Sequence, residues 1–262
     1  MIYEIPKEKR GLIAPFYEER TDTMIASCLQ GTMGRAWAVL EEGKAVSALI
    51  VVGDFFFPAG KPEGELAERM EGCMASGFAL AAPESEGWGE LLEETYAGRC
   101  ERRTRYALQK SRDGFSWEKL EEFARSLPEG FSMEAVDEGW FERLKEADWS
   151  RDFVSQFSDY GQYARRGGGF LAVREETKEA VSGASSYTVY EGGLEIEVDT
   201  RGDFRRRGLA RACSARLILD CLDRGIFPSW DAANGASLHL AESLGYRFDR
   251  EYPILYLTKK EQ

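Results

Sequence analysis

Two adjoining stretches constrain this chain more than any other: Leu194-Glu195-Ile196-Glu197-Val198-Asp199-Thr200 and, after a short turn, Arg205-Arg206-Arg207-Gly208-Leu209-Ala210-Arg211. The first alternates apolar and acidic residues, the period of a half-buried β-strand. The second opens a helical pattern running to about Asp223, with Leu209, Ala212, Cys213, Leu217 and Cys221 among its apolar positions. A strand must therefore hand the chain through a tight loop to the amino end of a helix. The first N–H groups of a helix lack intrahelical acceptors and its dipole favours negative charge there, so the junction predicts a phosphate or pyrophosphate cradle. Gly208 allows close backbone approach, Ala210 keeps the next turn small, and Arg205, Arg206, Arg207 and Arg211 add a positive field. Read alone, such an arginine run is a solvated helix face.

The local charge runs against the rest of the sequence. Across 262 residues, 34 Lys+Arg oppose 46 Asp+Glu, a formal net charge of −12. That balance speaks against nucleic acid or anionic membrane as a partner. One histidine excludes a multi-histidine metal site, and no metal is expected. The five cysteines are scattered without a CxxC pair and read as reduced, small apolar residues. The amino-terminal MIYEIPKEKRG lacks the apolar core of a signal peptide and no stretch approaches a membrane span, so a cytoplasmic protein is expected.

The pattern of elements predicts an α+β fold in two parts. Residues 36–40 and 45–57 read as a hairpin around Glu41-Glu42-Gly43-Lys44, followed by helices over about 65–82, 89–108 and 117–126. Leu127-Pro128-Glu129-Gly130 reads as a linker, which sets domains at 1–128 and 131–262. Beyond it come a strand at 131–136, a helix at 138–147, and an aromatic stretch from Trp149 to Tyr163. Three adjacent antiparallel strands follow, at 170–174, 181–190 and 194–200. The long helix, a strand at 226–230, a helix at 235–243 and two β segments bent at Pro253 complete the order. Gly167-Gly168-Gly169 reads as a flexible lead into a strand.

The spacing Arg-x-x-Gly-x-Ala differs from a P-loop and from a dinucleotide fingerprint. It resembles the acetyl-CoA pyrophosphate motif of the GNAT N-acetyltransferase superfamily. The segment from Trp230 through Asn234, Ser237 and Leu240 to Gly245-Tyr246 resembles that family's second signature, N-x-x-[AS]-x-x-L closed by a glycine–aromatic pair. The whole chain, including Gly53 to Gly60, resembles the two-part bacterial GNAT subfamily that includes zwittermicin-type acetyltransferases. The resemblance implies a carboxy-terminal mixed sheet flanked by helices. The amino-terminal part would be a degenerate half that binds no CoA and shapes the acceptor pocket or a homodimer interface. It implies acetyl-CoA as acyl donor, held by Val198, Asp199, Thr200, Arg205, Arg206, Arg207, Gly208, Leu209, Ala210, Arg211, Asn234 and Ser237.

The family's chemistry is direct attack of an amine on the thioester. An ammonium must lose a proton and a thiolate must leave. Glu195, Glu197 and Asp199 alternate onto one face of the strand. Glu197 is the first candidate for the base and Glu195 the second; solvent-facing positions of a half-exposed strand are the competing reading. Where many family members carry a tyrosine acid, this chain has Ala241, which would leave proton return to water, His239, Tyr246 or nothing. His239 otherwise reads as a surface or packing residue. Asn234 reads as a helix cap, with a CoA amide contact as a second role. Ser182, Ser185 and Ser186 have no base partner and are not expected to be nucleophiles. The expected function is acetyl transfer to a primary amine of a small molecule. Transfer to a peptide or protein amine, or a catalytically weak CoA-binding module, are the alternatives.

Overall fold

The computed structural model describes residues 1–260. The chain divides into two compact units, Met1–Arg105 with the segment from Glu251 onward, and Tyr106–Arg250. This differs from the division expected at Leu127–Gly130. The helix before that linker packs on the long helix of the second unit, and the chain end returns to the first.

In chain order the elements begin with β1 (Ile2–Glu4), α1 (Thr23–Leu29), β2 (Arg35–Glu41), β3 (Lys44–Val52) and β4 (Phe55–Gly60). There follow α2 (Gly64–Cys73), β5 (Phe78–Ala81), α3 (Glu86–Thr95), β6 (Cys100–Leu108) and α4 (Trp117–Ala124). Then come β7 (Phe131–Ala135), α5 (Glu138–Glu146), α6 (Tyr160–Arg166), β8 (Gly169–Arg174), β9 (Glu179–Tyr190) and β10 (Gly193–Thr200). The last are α7 (Leu209–Asp223), β11 (Phe227–Ser229), β12 (Asp231–Ala232), α8 (Gly235–Ser243) and β13 (Phe248–Thr258).

In the first unit β1-β2-β3-β4-β5-β13 lie side by side in that order. Trp37, Leu49 and Phe56 on the strands meet Met70 of α2 and Trp88 and Leu92 of α3 in one buried core. Three expectations change here. The run 45–57 breaks into β3 and β4 at Gly53, whose φ is +59°. The expected helix 65–82 stops at Cys73 and gives way to β5, and 89–108 is split into α3 and β6. In β6 the sequence Glu101-Arg102-Arg103-Thr104-Arg105 carries no apolar alternation, so helix and strand look alike from composition. The two final β segments are one strand, β13.

The second unit is built on the sheet β11-β10-β9-β8-β7. Its pairs are antiparallel except β10 with β11, which are parallel and joined by α7 as a crossover. That parallel ladder lasts three rungs, Gly193↔Phe227, Leu194↔Pro228 and Glu195↔Ser229. β10 continues for five more residues, so the strands form a fork whose vertex is Glu195 and Ser229.

The two faces of β10 follow from its partners. Thr200 pairs with Ser182, and their hydroxyls lie 2.6 Å apart. Glu197 pairs with Ser185, whose hydroxyl donates to the Phe153 carbonyl at 2.6 Å and lies 2.8 Å from the Tyr163 hydroxyl. Glu195, Glu197 and Asp199 therefore share the face covered by the Phe153 turn and α6. Gly167 and Gly169 are close-packed here. A Cβ on Gly169 would lie 2.5 Å from the Tyr163 hydroxyl, and one on Gly167 2.5 Å from Ser186 Oγ.

Candidate active site

Helix starts in the second unit separate α7 from its neighbours. Ser116, Asp137, Asp159 and Asn234 cap α4, α5, α6 and α8 by accepting a backbone N–H of the first turn. α7 begins at Gly208, with no side-chain cap and no acidic residue in its first turn. The first intrahelical bond there is Ala212 N–H to Gly208 O, at 3.1 Å. The earlier N–H groups of that turn are left to face the cavity. Gly208 sits at φ +81°, a left-handed conformation costly for residues with a Cβ, and the preceding Arg206 is also left-handed at φ +61°.

A cavity of about 670 Å³ opens at this helix end and runs to the fork. Val198, Asp199, Thr200, Arg205, Arg206, Gly208, Leu209, Ala210, Arg211, Asn234 and Ser237 all line it. Arg207 does not. Its Nη2 donates to the Asp203 carbonyl at 3.2 Å and its guanidinium lies 5.1 Å from the Phe204 ring, beside a second hollow bounded by Phe131 and Arg174. Successive residues of a tight loop point in different directions, so four arginines in sequence do not make four arginines in one place.

Arg205 and Arg211 are held differently. Arg205 Nε donates to the Thr200 carbonyl at 3.1 Å, and Asp199 Oδ1 lies 3.6 Å from its Nη2 while accepting the Thr200 N–H at 2.6 Å. Asp199 and Arg205 thus brace the two ends of the loop. Arg211 packs its guanidinium 4.5 Å from the centre of Phe123 on α4, and its buried Nε has no hydrogen-bond partner among the described residues. An orphaned buried donor in an uncapped helix turn fits an anionic ligand.

Along the fork, the β10 edge beyond Glu195 no longer has β11 beside it, and Trp230 forms part of the opposite wall. The Trp230 indole N–H donates to Ser237 Oγ at 3.1 Å, while Ser237 N–H is taken by the Asn234 cap at 3.0 Å. Of the hydroxyls lining the cavity, Thr200 is bonded to Ser182 and Ser243 donates to the Leu240 carbonyl at 2.7 Å. Ser237 accepts from the indole, which leaves its own proton to point elsewhere.

Glu195 and Glu197 do not line this cavity. Glu195 is buried at the fork, and Glu197 is half-buried two residues further along the same face. Trp230, His239 and Leu240 also line it, as do Phe204, Ala236 and Ser243, whose residue types gave no chemical signal. A helical stripe through Ala236, Leu240 and Ser243 was the available one. His239 is exposed at the cavity rim. Ala241, by contrast, is fully buried away from the cavity. The serines of β9 are fully buried and hydrogen-bonded, as Ser182, Ser185 and Ser186 show.

Tyr246 is equally committed. It is buried against Trp230 and Phe115, and its hydroxyl donates to the Pro228 carbonyl at 2.6 Å. Burial pushes its phenol well above the usual value, so it is no proton source for the cavity. The folded protein keeps this proton where the unfolded chain releases it. The contribution of this group to stability is therefore constant below about pH 10 and falls as pH rises further. Tyr246→Phe is expected to lose about 1–3 kcal/mol at neutral pH by leaving the Pro228 carbonyl unsatisfied, and to shallow the alkaline fall. Urea midpoints at pH 8 and pH 11 check both.

The sequence model of the GNAT acetyltransferase family matches residues 14–255. The chain belongs to the GNAT acetyltransferase family. The uncharacterized N-acetyltransferase YdfB of Bacillus subtilis is 30% identical over 151 residues, 56% of this chain and 57% of that protein. The chain thus matches little more than half the length of this curated relative. Among solved structures, a GCN5-related N-acetyltransferase-like protein from Streptococcus suis is 39% identical with a TM-score of 0.89, over 97% of this chain and 100% of that one. A tandem GNAT protein from the clavulanic acid biosynthesis pathway, 11% identical with a TM-score of 0.55 over 100% of both chains, shares the fold. The family's fold thus extends across the whole chain. No helix among the described residues is long and apolar enough to cross a membrane.

Proposed function

We propose that this protein is an N-acetyltransferase that moves an acetyl group from acetyl-CoA to a primary amine of a small molecule by direct attack. One observation carries the reading: a single cavity joins an uncapped, acid-free helix start to the fork between two parallel strands. Acetyl-CoA, when bound, supplies an activated acyl group, whose carbon–sulfur bond breaks as the nitrogen–carbon bond forms.

The chain's own residues divide the remaining work. The first-turn N–H groups of α7, with Arg206 and Arg211, hold the pyrophosphate, and Gly208 lets it approach the backbone. The β10 edge from Ile196 to Asp199 supplies backbone donors and acceptors for the amides of the pantetheine arm, where β11 would otherwise have paired. Asn234 keeps α8 in place as a cap. Ser237, oriented by the Trp230 indole, offers its hydroxyl proton to the donor. Glu197 holds the incoming ammonium and takes its proton, directly or through one water. Glu195, two residues back on the same face, adds negative charge that favours a cationic acceptor.

Calorimetry with acetyl-CoA and thiol release over a panel of amines test the proposal. The expected result is binding together with amine-dependent release. Absence of binding overturns the donor assignment. Tight binding without release on any amine overturns the transferase reading in favour of a CoA-binding module, which the buried Ala241 and the committed Tyr246 would suit.

A further inference from the structure

Lys110 brings a positive charge to the fork. Its Nζ donates to Ser229 Oγ at 2.5 Å, and no carboxylate pairs with it among the described residues. Ser229 is wholly buried and is the last residue of β11, paired with Glu195 at the rung where the strands part. Paired residues on neighbouring strands present their side chains to the same face, so Ser229 shares the face of Glu195 and Glu197. An ammonium has three donors and Ser229 takes one. Lys110 is itself exposed, which leaves the other two open to a ligand.

We propose that Lys110 is a specificity-determining residue that binds a carboxylate on the acceptor. The acceptor class is then an amino acid or a small amino-acid derivative, with an amine and a carboxylate on one carbon. This rests on the acyl-transfer reading above and names the substrate class for that site. Glu197 stands two residues beyond the fork rung, about 7 Å along the strand. A zwitterion making a hydrogen bond of about 3 Å at each end spans a gap of that order. The ammonium lies toward Glu197 and Glu195, and the carboxylate turns outward to the exposed Lys110. A lysine serving only to brace a buried serine would not need its charge, because an uncharged donor satisfies a hydroxyl equally well.

The test uses matched acceptors, amino acids and the amines left when their carboxyl group is removed, with acetyl-CoA as donor and thiol release as readout. The intact protein is expected to favour the carboxylate-bearing member by about tenfold to a hundredfold in kcat/KM, the range of one charged hydrogen bond. Lys110→Met and Lys110→Gln should both bring that ratio close to one while leaving KM for acetyl-CoA unchanged. The side chain is exposed, so neither substitution opens a core cavity. Equal use of both acceptors by the intact protein overturns the inference, and so does a preference that survives in Lys110→Gln. Release on carboxyl-free amines alone overturns this inference but not acyl transfer, whereas loss of donor binding in calorimetry overturns both.

Discussion

Gly208→Val is expected to weaken acetyl-CoA binding by at least about a hundredfold, a loss of roughly 2.7 kcal/mol on the affinity scale. Gly208 lies at φ +81° and ψ 0°, where a β-branched residue is a severe outlier. A Cβ added there would meet little, since the nearest atom is Arg211 Nη2 at 4.0 Å. The core is therefore untouched, and the folding cost is backbone strain of about 1–3 kcal/mol. The binding cost is larger in kind. The isopropyl group stands in the cavity mouth, and relief of strain turns the first-turn N–H groups away from the anion. Arg207→Ala is the matched comparison and is expected to change affinity little, because its guanidinium is occupied by the Asp203 carbonyl and the Phe204 ring. Calorimetry on both variants, with a urea melt to confirm folding, decides the matter. Unchanged affinity in Gly208→Val would move the donor site elsewhere.

Glu197→Gln is expected to lower kcat by about 10²–10³-fold while leaving acetyl-CoA affinity within about twofold of the parent, the range for removing a general base. The amide keeps the size and hydrogen-bonding reach of the carboxylate but cannot take a proton at neutral pH. A split between kcat and donor affinity separates a chemical role from a structural one. Calorimetry should show acetyl-CoA binding unmoved in the variant while amine-dependent thiol release falls, whereas a structural role would lower both. Glu195→Gln is expected to act more weakly on rate, since its carboxyl is buried at the fork and not further out along the strand. If both variants retain full rate, neither carboxylate is the base.

Much of this was legible because it is written in local order. α8 begins and ends where the Asn234 cap and the Gly245-Tyr246 closure predict, and α7 begins beside Gly208 as the glycine demands. The three antiparallel strands before it follow from alternation and polar turns. Local order failed where two elements share a composition. Arginine-rich β6 has no apolar alternation, and β5 is a four-residue strand behind the left-handed Gly77. The two compact units part at Arg105–Tyr106 and not at the proline–glycine turn. A proline–glycine turn marks a bend in the chain, but which side α4 joins depends on its packing partner, α7.

The sequence by itself determined the strand–loop–helix junction, the identity of the residues at its turn, and the shared face of Glu195, Glu197 and Asp199. Each depends only on neighbours a few residues apart and on the periods of strand and helix. Only the tertiary structure decided that Arg207 turns away from the cavity while Arg211 lines it, packed on Phe123. It also decided that β10 and β11 part after three rungs, that Ala241 faces the core, and that Lys110 reaches Ser229 from more than a hundred residues away. These are contacts between residues distant in the chain, and no local period carries them. The −12 charge of the whole chain is the same kind of quantity. It says nothing of where the few cations that matter are brought together, which only folding decides.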